Sequence, residues 1–237
     1  MKKNSREGGC GSAVRYALPK TVPVMVGYLF LGMAYGILMS VNGFGIGWAI
    51  AISIIVYAGS LQYVGIDLLV ASVSPAAAFL MALMVNARHL FYGISMLGRY
   101  RELGNIKPYL IFGLTDETFS VVCNETVPEE IGRERGYFWI TFLDQCYWVA
   151  GTLLGAAAGS VITFNTKGLD FALTALFVMI FTEQWTSEKK HGPAVTGVLC
   201  SAACLAVFGA EAFIIPAMIA ILAVVTLGYK REGRKKE

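Results

Sequence analysis

The longest stretch of this chain without a charged side chain runs from Thr21 to Ile66. Further charge-free stretches cover 68–87, 145–166, 191–210 and 212–229. A membrane-spanning helix needs only about 20 apolar residues, so each stretch has an adequate length for a crossing. Charged residues make up 15% of the chain, whereas an ordinary soluble domain has about 25%. The sequence therefore predicts an all-α, polytopic integral membrane helical bundle in a lipid bilayer.

Basic residues cluster at both ends of the chain. Five precede the first apolar segment and five follow the last one: Lys2, Lys3, Arg6, Arg15 and Lys20, then Lys230, Arg231, Arg234, Lys235 and Lys236. The positive-inside rule places such clusters on the cytoplasmic side. We predict cytoplasmic basic tails over 1–21 and 230–237, with a single transmembrane domain over 22–229. Topology explains the net charge of +3, so nucleic acid is not an expected partner.

Two of the apolar segments look interrupted. The segments fall at 22–41, 45–73, 75–97, 108–123, 136–161, 169–185, 193–210 and 213–229. The second carries Gly59, Ser60, Gln62, Gly65 and Asp67 in its middle, and the short fourth one carries Thr115, Asp116, Glu117 and Thr118. Broken helices are tolerated at membrane depth only where they line protein or a watery cavity. We predict that both segments are broken.

The distribution of Lys and Arg favours hairpins at these two breaks. If both segments enter and leave on the same side, the loop at 98–107 lies inside, and only Lys167 is external while Arg88 is buried. We therefore favour about six crossings plus two re-entrant segments, one from each face, with both termini cytoplasmic. Eight full crossings is the alternative. Opposed hairpins also suggest an inverted repeat, which many secondary transporters contain.

Small residues recur one helical turn apart in two segments. They are Gly32 and Gly36 in the first segment, and Gly151, Gly155 and Gly159 in the fifth. Faces of this kind allow membrane helices to approach closely. We interpret these glycines as packing positions.

Ionisable residues inside apolar segments are the main candidates for function, because inserting one costs about 2.5–3.5 kcal/mol. Arg88 and His89 stand together in VNARHLFYG, and Asp116 and Glu117 stand together in TDETF. Arg88 could form a structural ion pair with Asp116, Glu117 or Asp144, or bind a substrate anion. His89 could carry protons near neutral pH, or be a core histidine bonded to a carbonyl.

The candidate site combines a cation, an anion and a helix start. On one continuous helix, Asn86 and His89 share a face, and Arg88 lies about 100° from His89. Gly59, Ser60 and Gln62 suit a helix N-terminus whose free N–H groups bind a carboxylate. Together with apolar neighbours, these groups match a zwitterion with an apolar side chain. The predicted substrate-binding or coupling residues are Gly59, Ser60, Gln62, Asn86, Arg88, His89, Asp116 and Glu117.

Several motifs resemble the AzlC family of branched-chain amino acid exporters. They are VPVMVGYLFLGMAYGI (22–37), YAGSLQYVGIDLL (57–69), VNARHLFYGISM (85–96) and TDETFSV (115–121). The resemblance implies a secondary transporter that exports branched-chain amino acids across a bacterial cytoplasmic membrane. It also implies a small hydrophobic membrane subunit of the AzlD type as partner. Alternating access would then operate around a polar cavity between the two broken segments, either with coupling to protons or as uniport or exchange.

Three other classes of function compete with this interpretation: an enzyme, a scaffold subunit and a channel. An intramembrane enzyme acting on a lipid would need acids one turn apart to hold a metal, whereas Asp116 and Glu117 point about 100° apart. A non-transporting scaffold subunit gains little from buried charges, and a channel would differ from a carrier by unsaturable flux. The five cysteines show no metal-ligand spacing. We expect no enzyme activity, catalytic residue, metal or cofactor.

Overall fold

The computed structural model describes residues 10–71, 73–161 and 191–234, with the helical positions 171, 174, 178, 181, 182, 185 and 186. Every regular element in this part of the chain is an α-helix, which confirms the all-α prediction there. The helices are α1 (Cys10–Val41), α2 (Ile46–Ile55), α3 (Gly59–Val70), α4 (Pro75–Asn86), α5 (Arg88–Tyr100), α6 (Lys107–Phe112), α7 (Asp116–Val122), α8 (Arg133–Val161), α9 (Gly192–Ala212) and α10 (Ile214–Arg234). The chain divides into two compact units, Met1–Leu173 and Thr174–Glu237.

Two described helices are long and apolar enough to cross a membrane. They are Gly11–Val41 within α1 and Gly192–Gly209 within α9. The bent pair α4 and α5 provides a third candidate if it counts as one span. Because α1 begins at Cys10, the first helix extends well into the segment predicted as an N-terminal tail.

The glycines of α1 and α8 bring the two helix backbones into direct contact, as the spacing predicts. A methyl group added at Gly151, Gly155 or Gly159 of α8 would meet the backbone or a Cβ atom of α1. Successive contacts along α8 are Gly151 with Leu29, Gly155 with Met33, and Gly159 with Ile37. Since both residue numbers rise together, α1 and α8 run parallel. This pair forms the centre of the first unit.

The second apolar segment is broken as predicted, and its two halves fold back on each other. Helix α2 ends at Ile55, Tyr57 adopts a φ of 41°, and α3 begins at Gly59. The amide of Gln62 donates to the Ser53 hydroxyl at 3.0 Å. Nine residues of continuous helix would separate these positions by about 13.5 Å, beyond the reach of the two side chains. The chain therefore reverses between α2 and α3.

The fourth segment is also broken as predicted. Helix α6 ends at Phe112 and α7 begins at Asp116, with Gly113 packed against the Thr141 side chain of α8 between them. A methyl group at Gly113 would overlap Thr141, so only glycine allows this approach.

Both ends of the fourth segment lie beside the start of α8. On the side that precedes the segment, a methyl group at Gly104 would lie 2.9 Å from Oε1 of Glu134. On the side that follows it, the carbonyl of Glu125 accepts a hydrogen bond from Arg99 at 2.7 Å. Arg133 donates in turn to the carbonyl of Arg99 at 2.6 Å. The loops before and after this segment therefore lie at the same end of α8.

The third segment is broken too, and the continuous helix expected over 75–97 was wrong. Helix α4 ends at Asn86, α5 begins at Arg88, and the axes of Pro75–Leu83 and Arg88–Tyr100 differ by 50°. No Gly or Pro marks the bend. At the bend, the Asn86 carbonyl meets the His89 ring, and the Leu90 N–H bonds to the Ala87 carbonyl three residues earlier. Asn86 and Arg88 thus lie on different helices, so the predicted facial relationship does not apply.

The remaining segments belong to the second unit or fall outside the described residues. The predicted segment 169–185 lies largely outside them, as does Lys167. The seventh and eighth segments correspond to α9, which has a kink at Gly209 with φ 74°, and α10, which extends to Arg234. The single domain over 22–229, the tails and the inverted repeat stay predictions.

Candidate functional site

Arg88 joins the starts of three helices in the first unit. Its Nη1 lies 2.9 Å from Oδ2 of Asp116, and its Nη2 donates to the Ser60 hydroxyl at 2.7 Å. Ser60 is the second residue of α3, Arg88 is the first of α5, and Asp116 is the first of α7. Of the three acids proposed as partners of Arg88, Asp116 is therefore the one that forms the ion pair. We call Ser60, Arg88 and Asp116 the Arg88 cluster.

The TDET sequence folds as a capped helix start, which fixes both acids of α7. The Thr115 hydroxyl accepts a hydrogen bond from the Thr118 N–H at 3.3 Å, so Thr115 is the N-cap. Asp116 and Glu117 then occupy the first turn, where the helix dipole favours negative charge. The two carboxylates diverge: Asp116 meets Arg88, and Glu117 meets α1.

Glu117 lies against a buried tyrosine of α1. The Tyr28 hydroxyl is 2.8 Å from Oε2 of Glu117 and 2.6 Å from the Thr115 hydroxyl. Tyr28 is buried, and its ring meets Trp148 of α8 edge-on. The Tyr28 hydroxyl is therefore held between α7 and the central helix pair.

The contacts continue from Thr115 to a fully buried acid of α8. The Thr115 hydroxyl donates to Thr118 at 3.0 Å, and Thr118 donates to Oδ2 of Asp144 at 2.7 Å. Thr118 and Asp144 have no exposed surface. Four hydrogen-bond contacts thus connect Glu117 with Asp144 through three hydroxyl groups. We call this series the hydroxyl chain; its members are Glu117, Tyr28, Thr115, Thr118 and Asp144.

His89 and Tyr92 place the polar face of α5 against α7. The His89 Nδ1 lies 3.2 Å from the Asn86 carbonyl, which can only accept, so this nitrogen carries the hydrogen in the neutral ring. Tyr92 packs edge-on against His89 and stacks on Phe119 of α7, with 4.7 Å between the Tyr92 and Phe119 ring centroids. This stacking continues the contact that Arg88 and Asp116 begin one turn earlier.

Gln62 and Gly59 brace the reversal between α2 and α3. The Gln62 amide donates to Ser53, and its Oε1 accepts from the indole N–H of Trp148 at 2.9 Å. A methyl group at Gly59 would lie 3.1 Å from the same indole. The Ser53 hydroxyl also meets Thr152 of α8 at 2.9 Å. The reversal is therefore anchored to α8 by buried polar contacts.

The eight predicted residues thus fall into three groups. Ser60, Arg88 and Asp116 are in direct contact, and His89 and Glu117 flank them on α5 and α7. Gly59 and Gln62 belong to the brace. Asn86 ends α4, and its buried Oδ1 makes no hydrogen bond to the described residues. Their roles in binding or coupling stay predictions.

Sequence reasoning left four members of the hydroxyl chain out of the site: Tyr28, Thr115, Thr118 and Asp144. The cap signature of Thr115 before two acids offered a usable signal for α7. Tyr28 offered none, because one hydroxyl in an apolar segment barely changes its hydropathy. Within the described ranges, no group of three or more His, Cys, Asp or Glu side chains could hold a metal ion.

A charged cluster outside the membrane-spanning segments ties α1 to the loop after α7. Glu125 accepts hydrogen bonds from Tyr16 at 2.5 Å and from Lys20 at 2.8 Å. Burial by itself raises the pKa of Glu125, but these two hydrogen bonds and the charge of Lys20 outweigh it. The pKa of Glu125 therefore lies below its usual value, and its carboxylate form stabilises the fold.

Comparison with known proteins decides the family. Residues 23–162 match the family described as AzlC protein, and these residues are more than half of the chain. The chain belongs to the AzlC family. The Arg88 cluster and the whole hydroxyl chain lie inside the matched AzlC residues. No solved structure matches this AzlC chain.

Three relatives illustrate how this AzlC chain compares with proteins of other organisms. The Branched-chain amino acid transport protein AzlC of Bacillus subtilis (strain 168) is 50% identical over 216 residues, which cover 91% of this chain and 85% of the relative. A membrane protein of Haemophilus influenzae is 36% identical over 237 residues, covering 100% and 97% of the two chains. The Inner membrane protein YgaZ of Escherichia coli (strain K12) is 31% identical over 215 residues, covering 88% and 84%.

Proposed function

We propose that this chain is a secondary transporter that exports branched-chain amino acids across a bacterial cytoplasmic membrane. The name of the Bacillus subtilis relative, at 50% identity, supports amino acid transport. The single observation that carries a binding site is the contact of Arg88 with both Ser60 and Asp116, at the breaks of three apolar segments. Interrupted helices that meet in this way are typical of substrate sites in secondary transporters.

The Arg88 cluster suits a zwitterion because it already pairs opposite charges. A substrate carboxylate would bind the Arg88 guanidinium and the Ser60 hydroxyl, while the substrate ammonium binds Asp116. Only Oδ2 of Asp116 meets Arg88, and Oδ1 is buried and makes no hydrogen bond to the described residues. Insertion of the zwitterion replaces one ion pair by two, so no uncompensated charge is buried. The adjoining Tyr92 and Phe119 rings offer apolar surface for an aliphatic side chain.

We propose six crossings, two re-entrant segments and cytoplasmic termini. The reversal between α2 and α3, and the two loops of the fourth segment at one end of α8, support this topology. The helix ends and loops on that side carry Arg99, Arg101, Lys107 and Arg133, which the positive-inside rule places in the cytoplasm. Alternating access, coupled to protons, then moves the broken segments around the cluster. The breaks are suitable hinges because their backbone leaves the helical hydrogen-bond pattern.

The proposal includes a small hydrophobic partner of the AzlD type and excludes catalysis as the main function. The partner subunit is proposed on the basis of the family resemblance. Transport is preferred to an intramembrane enzyme because the acids near Arg88 diverge, one to Arg88 and one to Tyr28. It is preferred to a scaffold because the Arg88 cluster places ionisable groups at membrane depth, which is costly without a substrate.

Labelled leucine, isoleucine or valine exchange in proteoliposomes tests the proposal, with the small partner co-reconstituted. Wild type is compared with Asp116→Asn and with Glu125→Gln, which removes a carboxylate outside the cluster. We expect saturable flux that Asp116→Asn abolishes and Glu125→Gln retains. Flux that persists in Asp116→Asn moves the site elsewhere. Absence of flux for a panel of amino acids, from folded and partner-bound protein, rejects transport.

A further inference from the structure

The hydroxyl chain has four hydrogen-bond contacts, but its three hydroxyl groups supply only three protons. Its contacts are Glu117–Tyr28, Tyr28–Thr115, Thr115–Thr118 and Thr118–Asp144, with oxygen–oxygen distances of 2.8, 2.6, 3.0 and 2.7 Å. Each contact requires one hydrogen, whereas Tyr28, Thr115 and Thr118 supply one each. If both acids were ionised, two oxygens would face each other without a hydrogen, at a buried position where that is most costly.

The direction of the Thr115–Thr118 hydrogen bond indicates at which end of the hydroxyl chain a fourth proton is needed. Thr115 donates to Thr118, and Thr118 donates to Asp144, so both threonine protons are used. The contact between Tyr28 and Thr115 then requires the Tyr28 proton. The Tyr28 hydroxyl lies in donating geometry to both Thr115 and Glu117, but it has a single proton, so the contact with Glu117 is complete only when Glu117 carries a proton of its own. The arrangement is complete when Glu117 is a carboxylic acid and Asp144 is a carboxylate.

We propose that Glu117 holds the coupling proton of the transporter and that the hydroxyl chain exchanges it with Asp144. The identity of the proton as a coupling proton rests on the proposed function; its presence on Glu117 does not. Glu117 is half-buried whereas Asp144 is fully buried, so Glu117 is the end that can exchange protons with its surroundings. The Arg88 cluster includes Asp116, the residue before Glu117 on α7, and is the proposed substrate site.

The transfer balances without any additional reactant. Glu117 gives its proton to the Tyr28 oxygen, while Tyr28 gives its own to Thr115, Thr115 to Thr118 and Thr118 to Asp144. Four O–H bonds break and four form. The result is a Glu117 carboxylate, an Asp144 carboxylic acid and three intact hydroxyl groups whose directions have all reversed. The net charge of the hydroxyl chain does not change.

Charged and titratable groups on every adjoining element bear on this proton. Asp116 on α7 and the Asp144 carboxylate disfavour a second negative charge at Glu117, whereas Arg88 on α5 favours it. The remaining facing groups are Tyr28 of α1, Tyr57 at the α2–α3 break, and His89 and Tyr92 of α5. Because the Asp116 carboxylate already occupies Arg88, little of that positive charge is available to Glu117.

Infrared spectroscopy of the purified full chain at neutral pH tests the protonation without any transport. We expect the carbonyl band of a protonated carboxylic acid in wild type, its loss in Glu117→Gln, and its retention in the matched control Glu125→Gln. The glutamine amide can donate to Tyr28 as the acid does, so this variant keeps the contact and should fold. A wild type without the band, or a band that survives Glu117→Gln, overturns the assignment.

Flux measurements test the coupling role separately. Glu117→Gln should lose transport driven by a pH gradient but retain exchange of labelled for unlabelled leucine. Tyr28→Phe interrupts the chain and should slow the gradient-driven flux, whereas Tyr63→Phe removes a buried tyrosine hydroxyl that bonds to Leu31 and should not. Gradient-driven flux that survives Glu117→Gln overturns the coupling role. A wild type that carries no amino acid rejects the proposed function, and the infrared result still decides whether Glu117 is protonated.

Discussion

Arg88 and Asp116 form an ion pair across the breaks of two different segments, with side chains 28% and 16% exposed. This exposure is intermediate: the pair is shielded enough for its charges to interact strongly, yet a small molecule can reach it. Ser60 shares the same guanidinium. The pair therefore holds α5 to α7.

Arg88→Lys should impair substrate binding although the charge is kept. A lysine ammonium lacks the planar fork that lets one guanidinium meet Ser60 and Asp116 together. We expect a higher KM for the amino acid with a smaller change in kcat, and a lower unfolding temperature. The lost hydrogen bond to a charged group corresponds to about 1.5–3 kcal/mol in unfolding free energy. A KM and an unfolding temperature equal to those of wild type would show that the guanidinium geometry is unimportant.

Gly36→Ala should destabilise the protein through the α1–α8 interface. The added methyl group would overlap the backbone of Thr152 and Ala156, which cannot rotate away. Overpacking of this kind costs about 1–3 kcal/mol. The matched control is Gly27→Ala in the same helix, where no described atom lies within 4 Å of the new methyl group. Thermal unfolding in detergent should show a loss for Gly36→Ala only; equal unfolding temperatures would contradict the tight contact.

Glu125→Gln should destabilise the fold at neutral pH, and the difference from wild type should vanish in acid. The pKa of Glu125 is lowered in the folded state, so its contribution is complete above the ordinary glutamate pKa of about 4.3 and is lost as the pH falls through the lower folded value. The contact with Lys20 is partly exposed, so we expect about 1 kcal/mol. Unfolding measurements from pH 7 downward check this; a difference that grows in acid would refute it.

A cysteine at Gly104 should react with an impermeant thiol reagent from the cytoplasmic side only. This position lies beside Glu134 at the start of α8, at the end where Glu125 contacts Lys20. The control is Asn42→Cys in the exposed turn after α1, which should react from outside. Both variants require a background without the five native cysteines. Labelling of Gly104→Cys from outside would restore eight full crossings.

The sequence predicted that the second and fourth segments are broken because polar and small residues stand inside them at 59–67 and 115–118. In the structure the breaks lie at 56–58 and 113–115. The break at Ala87 was missed because it carries no Gly or Pro. Its cause is tertiary: Arg88 binds Ser60 and Asp116 from other segments, and the Asn86 carbonyl turns to the His89 ring. Local sequence cannot reveal such partners.

The sequence was sufficient to predict the charged residues of the candidate site, but not most of the side chains that they contact. Composition alone singled out Arg88 and the acids, since charge is rare at membrane depth. Gln62 illustrates the limit: its polarity predicted a substrate contact, yet its amide is bound by Ser53 and Trp148. Tyr28 illustrates the opposite error, because a hydroxyl on an apolar ring looks like ordinary core until its neighbours are known.

The glycine contacts between α1 and α8 have a mechanical consequence. Leu154 directly precedes Gly155, so a rotation or slip of either helix would drive a leucine into the space that only a glycine fits. The two helices consequently form one rigid frame, which carries Tyr28 and Asp144. Thr115 is the N-cap of α7 and Thr118 lies within α7, which packs on this frame. The hydroxyl chain crosses between α7 and this frame twice, from Tyr28 to Thr115 and from Thr118 to Asp144, so the proposed proton exchange requires α7 to be packed on the frame.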